Sequence, residues 1–243
     1  MKVRLDILLL NRNLASSRQR AQALIMAGKV LVNGEKHEKP GREVPVDAEV
    51  LVKEELPYVS RGGVKLQAAL EQFRVDVKGA NVMDAGASTG GFTDCLLQHG
   101  AARVLAVDVG YGQFAWKLRS DPRVTLIERA NIRYLDESLI PFSIDAVVAD
   151  LSFISLKLVL EKLKSFIPIG GWMIVLVKPQ FEVGKDSVEK GGVVKSKSRM
   201  KSAVESVKNF AVNIGLNPSG LIESPIKGSK GNTEFLLHLI RQI

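Results

Sequence analysis

From residue 80 onward the chain repeats one pattern: a short run rich in Val, Ile and Leu, then a segment of helical length and period. The runs are Asn81 to Asp84, Val104 to Asp108, Val124 to Ile127, Ala146 to Asp150 and Met173 to Lys178. Strands alternating with helices in this way build a doubly wound α/β domain with a largely parallel sheet. Such sheets bind ligands at the C-terminal ends of their strands, beside the point where strand order reverses. Four of the runs end in a charged side chain, Asp84, Asp108, Asp150 and Lys178. Charged strand ends gathered in one sheet point to a site.

The full chain of 243 residues has room for this domain and a smaller one. At 46% hydrophobic it has the composition of a folded protein. Its single cysteine, Cys95, excludes an internal disulfide and a CxxC zinc site, and is expected to pack in the core. His37, His99 and His238 are scattered, so no metal is expected. The apolar stretch Ile7 to Leu10 is broken by Asn11-Arg12-Asn13, too short for a secretory signal. No window approaches the roughly 20 apolar residues that span a bilayer. The expectation is a soluble cytoplasmic protein without membrane contact; its oligomeric state is not readable.

Charge is uneven. The chain carries a net +8, and residues 1–42 alone hold nine basic and three acidic side chains, a net +6. A dense basic module suits a polyanion, nucleic acid ahead of membrane. Residues 4–12 read as a short helix. A capping box from Ser16 to Gln19 opens a second helix that stops at Gly28. A strand Lys29 to Val32, the turn Asn33-Gly34 and a strand Glu49 to Lys53 complete a small α+β unit. With R-L-D at the start, S-R-x-x-A from Ser17 to Ala21 and G-K-V-x-V-N-G from Gly28 to Gly34, this unit, residues 1–58, resembles the S4 RNA-binding domain. The resemblance implies RNA as partner, with Arg4, Arg18, Arg20, Lys29 and Lys36 as candidate phosphate contacts, which position without reading sequence.

The second domain, residues 59–243, opens its first strand into D-A-G-A-S-T-G-G-F, Asp84 to Phe92. Glycines and small residues here predict close backbone approach to a ligand. The G-x-x-x-G-G spacing fits a dinucleotide fingerprint poorly, and no ATP-phosphate loop is present, since Gly184-Lys185 is followed by Asp186. Asp108, 24 residues after Asp84, can accept both hydroxyls of a nucleoside ribose. Together these features resemble the Rossmann-like S-adenosylmethionine-dependent methyltransferases. That resemblance implies a cofactor site at Asp84, Gly86, Ala87, Ser88, Thr89, Gly90, Gly91, Phe92, Asp108 with Val109, Asn131 near the adenine, and Asp150. A tight structural turn capped by Asp84 would leave Asp108 and Asp150 unexplained.

Two reactions compete. Asp150-Leu151-Ser152-Phe153 is faintly similar to the D-P-P-Y pattern of amino-group methyltransferases, without either proline. A ribose 2′-hydroxyl instead needs a base. Lysine can serve when burial or a second cation favours its neutral form. Lys178, stiffened by Pro179, and Lys65 in S-R-G-G-V-K-L are the candidates, and Glu234 opens the last apolar strand. Most single lysines are solvated surface charges.

The quartet Lys65, Asp150, Lys178, Glu234 resembles the Lys-Asp-Lys-Glu tetrad of FtsJ-like ribose 2′-O-methyltransferases. S-R-G-G-V-K-L, D-V-G-Y-G-Q, A-D-L-S-F-I-S and V-K-P-Q-F-E-V-G-K are similar to the TlyA family, often labelled hemolysins, over nearly the whole chain. The resemblance implies methylation of a cytidine ribose in ribosomal RNA or a ribosomal subunit. Lys178 would be the base, Asp150 and Glu234 would hold the lysines, and Lys65 would assist its partner. The chain's extent resembles the shorter members, whose target is large-subunit RNA. Base-amine methylation, a non-enzymatic RNA-binding role and a membrane-lytic role are the competing readings. Gly184 to Lys197 reads as a mobile surface loop or, alternatively, a lid over RNA.

Overall fold

The computed structural model describes residues 1–52, 57–184, 188–189, 191–228 and 230–243. The chain divides into two compact units, Met1–Leu56 and Pro57–Ile243. In the first, strand β1 (Lys2–Arg4) runs into helix α1 (Leu5–Asn11), and helix α2 (Arg18–Met26) follows. The cap of α2 is Ser17, not Ser16. Ser17 has extended backbone, and its hydroxyl accepts from the Arg20 amide, the third of the helix.

The chain leaves α2 through Gly28 at φ +65°, the left-handed exit that glycine makes without steric cost. Strand β2 (Val30–Val32) then pairs with β3 (Glu35–His37) through Asn33 and Gly34, both at positive φ as a tight hairpin turn demands. Strand β4 (Glu43–Pro45) returns to β1, and β5 (Val50–Val52) flanks β2. The strand expected at Glu49 to Lys53 is thus shorter, and Lys53 lies outside the described residues. Leu5, Leu9, Ile25 and Val30 form a small closed core.

The second unit begins at Pro57 and so includes Tyr58, expected in the first module. Its ring packs over Gly63 of helix α3 (Arg61–Phe73), where any Cβ would overlap it. A seven-stranded sheet follows, ordered β11-β12-β10-β9-β6-β7-β8. Its members are β6 (Asn81–Ala85), β7 (Arg103–Val107), β8 (Val124–Ile127), β9 (Ala146–Ala149), β10 (Trp172–Val177), β11 (Leu216–Glu223) and β12 (Phe235–Arg241). Strands β6 to β10 are mutually parallel, and β12 is antiparallel to β10 and β11. The chain steps outward from β6 to β8 and returns to β9 on the other side of β6. The switch point therefore lies between Ala85 and Ala149.

Both faces of this sheet are covered, which is why its central strands read as unbroken apolar runs. Val82, Val104, Val148 and Ile174 face α3 and helix α4 (Gly91–Gln98). Their neighbours Met83, Leu105, Val147 and Val175 face helices α6 (Leu160–Ser165) and α8 (Lys197–Asn213). Two short helices, α5 (Trp116–Arg119) and α7 (Pro179–Glu182), sit in the connections.

Strand β11 had no sequence signal. Pro218, Ser219 and Gly220 look like a turn, yet an edge strand tolerates Pro. A bulge between Pro218 and Gly220 absorbs the irregularity, and a Cβ on Gly220 would strike the Phe73 ring 2.6 Å away. Cys95 is fully buried in the α4 packing, and burial pushes its thiol up to about 12.

Candidate active site

Two cavities meet at the switch point. The first, about 470 Å³, is lined by Gly86, Ser88, Asp108, Val109, Asn131 and Phe153, with Gln113 at its polar end and Ile132, Leu151 and Ile154 along its apolar wall. Gly86, at φ +85°, lets the end of β6 press on β9: a Cβ there would sit 2.8 Å from the Asp150 carbonyl oxygen. Asp108 follows β7 and is anchored by three donors. The Ser88 amide donates to Oδ2 at 2.7 Å, and the Gly110 amide and Gln113 Nε2 donate to Oδ1 at 2.6 and 3.1 Å. A carboxylate has about four acceptor positions, so the cavity keeps acceptor capacity at one end and a flat apolar wall at the other. Asn131 caps a short 3-10 turn, its Oδ1 accepting from the Arg133 amide.

The second cavity, about 320 Å³, shares Gly86, Ser88, Asp150 and Ser152 with the first. Here the expected quartet comes together. Lys65 projects from the first turns of α3, which is capped by Ser60 accepting from the Gly62 amide. Its Nζ lies 2.6 Å from Glu234 Oε2, which enters at the start of β12. Lys178, at the end of β10 with Pro179 fixing the first position of α7, places Nζ 2.6 Å from Asp150 Oδ1 and 2.7 Å from Ser152 Oγ. Both lysines are 8% exposed and Glu234 is 3% exposed. Four charges, three of them buried and Asp150 partly exposed, are thus arranged as two matched pairs. Each lysine has its own carboxylate as ionic partner, Glu234 for Lys65 and Asp150 for Lys178.

Other expected cofactor residues divide differently. Ala87, Thr89, Gly91 and Phe92 line the second cavity, and Asp84 and Gly90 line neither. Asp84 alternates with Val82 onto the α4 face and is wholly buried. Thr93 Oγ1 donates to its Oδ2 at 2.7 Å, and Oδ1 has no side-chain hydrogen-bond partner among the described residues. Burial first, then the charges of Asp150 and Asp108, push this carboxyl up to about 7, against the hydrogen bonds from Thr93. The glycines at 90 and 91 are also required by packing within the protein. A Cβ on Gly91 would overlap Ser60 Oγ, and one on Gly90 would lie 2.5 Å from Leu118.

Ser152 and Phe153 stood out in the sequence as parts of an amine-binding pattern and of the A-D-L-S-F-I-S segment, without a role of their own. Ser152 holds Lys178. Phe153 is 90% exposed at φ +65°, a backbone state costly for a bulky residue and typical of functional positions. Its ring lies 5.3 Å from that of Phe181. The expected loop from Gly184 to Lys197 is tied down over its second half. Asn232, 2% exposed, accepts from the Val194 amide and donates to the Gly192 carbonyl. Lys185, Asp186, Ser187 and Lys190 lie outside the described residues.

In the first unit Asp6, absent from the expected set, organises two of the five basic candidates. Its fully buried carboxylate accepts from Arg4 Nε and Nη2 and Arg18 Nε, each at 3.0 Å, and from Gln22 at 2.9 Å. The Arg4 hydrogen bond leads in holding it well below the usual carboxylate range. Both guanidinium groups remain about half exposed. Lys36 lies against the Gly28 turn next to Lys29 and pairs with Glu38 at 2.6 Å. Arg20 is exposed on the first turn of α2. Among the described residues no cluster of His, Cys, Asp and Glu could hold a metal, and no helix is long and apolar enough to cross a membrane.

A doubly wound sheet with a split cavity at its switch point and charged side chains at its strand ends is a ligand-binding α/β architecture, and the family comparison makes it an α/β methyltransferase. The FtsJ-like methyltransferase family profile matches residues 58–241, and the S4 domain profile matches residues 3–50. The chain is 47% identical over 243 residues to the 16S/23S rRNA (cytidine-2′-O)-methyltransferase TlyA of Mycobacterium tuberculosis, covering 99% of this chain and 91% of that one. It is 33% identical over 185 residues to the 23S rRNA (cytidine-2′-O)-methyltransferase TlyA of Campylobacter jejuni, covering 76% and 71%. A solved structure from Streptococcus thermophilus, provisionally named a hemolysin, matches with a TM-score of 0.77 and 43% identity over 99% of this chain and 89% of that one. The chain belongs to the FtsJ-like methyltransferases, in the TlyA family that carries an N-terminal S4 domain.

Proposed function

We propose that the protein transfers a methyl group from S-adenosylmethionine to the ribose 2′-hydroxyl of a cytidine in ribosomal RNA, acting in the cytoplasm. The observation that carries this reading is the assembly of Lys65, Glu234, Lys178 and Asp150 around one cavity that opens onto the Asp108 cavity. S-adenosylmethionine supplies an electrophilic methyl on a sulfonium sulfur. Asp108 suits the ribose hydroxyls of its nucleoside, and the wall from Ile132 to Ile154 suits its base. Gly86, Ser88 and Asp150, common to both cavities, mark where methyl and acceptor meet.

Lys178 is the base in this reading. With the methyl group supplied by S-adenosylmethionine, the hydroxyl oxygen would take the methyl as its proton passes to Lys178 Nζ. Asp150 and Ser152 fix that amine, and the Lys65–Glu234 pair, whose Glu234 neighbours Lys178 where β12 pairs with β10, orients the hydroxyl. Alignment of three atoms in line supplies much of the rate. Base-amine methylation fits less well. The acceptors it would use, Asp150 Oδ1 and Ser152 Oγ, are both engaged by Lys178. Phe153 and Phe181 offer an aromatic surface beside the cavity on which a displaced base can rest. The first unit supplies phosphate contacts through Arg4, Arg18, Arg20, Lys29 and Lys36. The relatives' names share the 23S target, which favours large-subunit RNA.

Labelled S-adenosylmethionine incubated with ribosomal RNA and subunits lacking the modification tests this directly, with primer extension locating the product. The expected result is a ribose block at one cytidine of large-subunit RNA. Label on a base amine would overturn the assignment of the lysines.

A further inference from the structure

Beyond Glu234 the same strand entry shapes another concavity, of about 730 Å³. Alternation through Thr233, Glu234 and Phe235 turns Glu234 into the catalytic cavity and its two neighbours into this groove. Val194, Val204, Leu221 and Phe235 form an apolar floor, closed beneath by Val194 and Val204, which are 1% and 3% exposed. The rim is cationic: Lys195, Lys197, Lys201 and Lys227 stand against Glu205 and Glu223. Glu205 is engaged by Lys208 at 3.0 Å, and Lys195 by Glu189 at 2.9 Å. Lys197, Lys201 and Lys227 have no carboxylate within ion-pair distance among the described residues. The N-terminus of the 17-residue helix α8 adds its positive end to the same rim.

An apolar floor under a cationic rim suits a nucleotide, whose base is flat and weakly polar and whose phosphates are anionic. Lys227 lines both this groove and the catalytic cavity, so an RNA strand threaded through one reaches the other without leaving positive charge. We propose that this groove binds a second nucleotide of the substrate RNA, near the one whose ribose enters the catalytic cavity. The base lies on Phe235 and Leu221, and the flanking phosphates lie on Lys197, Lys201 and Lys227. The assignment rests on RNA being the substrate.

The test uses the full chain carrying the double substitution K197E/K201E on the exposed face of α8, and separately L221S. The double variant is expected to raise KM for ribosomal RNA at least tenfold. Its kcat stays within twofold, and its affinity for S-adenosylmethionine is unchanged. The slope of log affinity against log salt becomes shallower by about two, close to one for each phosphate no longer neutralised. L221S raises KM with no change in that slope. RNA bearing 4-thiouridine is expected to cross-link to peptides spanning 193–201 or 221–235. Unchanged KM and no such adducts, with the wild type active, overturn the proposal. So does a variant that binds free RNA normally and fails only on assembled subunits, since a protein would then occupy the groove. A wild type unable to methylate any ribosomal RNA would sink the underlying reading instead, and that arm needs no variant.

Discussion

Lys65 and Glu234 stand 169 positions apart in the chain and 2.6 Å apart in the fold, with both side chains almost closed to solvent. The pair joins the first helix of the methyltransferase unit to its last strand, whose entry lies beside Lys178 in the antiparallel pairing of β12 with β10. Removing one partner leaves a buried, uncompensated charge, which costs about 3–5 kcal/mol. K65M and E234L are each expected to lower the denaturation midpoint sharply. The double variant K65M/E234L is expected to regain much of that stability and none of the methyl transfer. Chemical denaturation of the four proteins, with activity measured alongside, checks this. Full activity in the double variant would leave the pair with a purely structural role.

Lys178 is expected to be indispensable to chemistry and dispensable to binding. K178A should lower kcat by about 10²- to 10⁴-fold, the usual contribution of a positioned base, with RNA and cofactor affinities unchanged. K178R should be as inactive, because a guanidinium does not give up its proton at accessible pH. Single-turnover transfer by K178A at the wild-type rate would exclude proton transfer to Lys178.

Asp108 anchors the loop at Ser88 and Gly110 and faces the nucleoside cavity. Loss of hydrogen bonds to a charged group costs about 1.5–3 kcal/mol. D108A should therefore weaken S-adenosylmethionine binding roughly 10- to 150-fold, read by calorimetry, while RNA binding holds.

Asp84 makes the methyltransferase unit sensitive to pH. Its carboxyl lies at about 7 in the folded state and near 4 when unfolded. Between those values the unfolded chain has lost the proton that the folded chain keeps. Stability therefore falls as pH rises through this window, by at most about 1.4 kcal/mol per unit, and levels off above it. D84N mimics the protonated side chain and should remove this slope. Its denaturation midpoint relative to wild type should climb between pH 5 and pH 8; parallel curves would show that Asp84 ionises freely.

Asp6 acts in the opposite sense on the first unit. Its carboxyl is depressed by Arg4 and its other donors, so its contribution is present above the unfolded value near 4 and is lost as pH falls below it. D6A should destabilise residues 1–52 at pH 7, visible as faster amide exchange confined to that unit, and should weaken RNA binding by releasing Arg4 and Arg18. Unchanged exchange would mean the two arginines hold their places without it.

Local pattern made the sheet legible. The Val-, Ile- and Leu-rich runs located five strands within a residue or so, because both sheet faces are buried and demand apolar side chains everywhere. Gly28 and Asn33-Gly34 were legible because their backbone states admit few residues. Strand β11 escaped because its pairing, not its composition, makes it a strand. The cap fell on Ser17 because two adjacent serines compete and only the final path of the chain chooses between them.

The sequence by itself determined most of the order of elements and the residue types at the strand ends, since these follow from short-range periodicity and chemical identity. The quartet Lys65, Asp150, Lys178 and Glu234 was legible through its resemblance to the FtsJ-like tetrad. Tertiary structure alone decided the partnerships. It paired Lys65 with Glu234 and Lys178 with Asp150, gave Ser152 to Lys178, turned Asp84 away from both cavities and set Asp6 under two arginines. Those outcomes depend on sheet register and on which face each side chain meets, and a linear pattern does not specify contacts between residues more than a hundred positions apart.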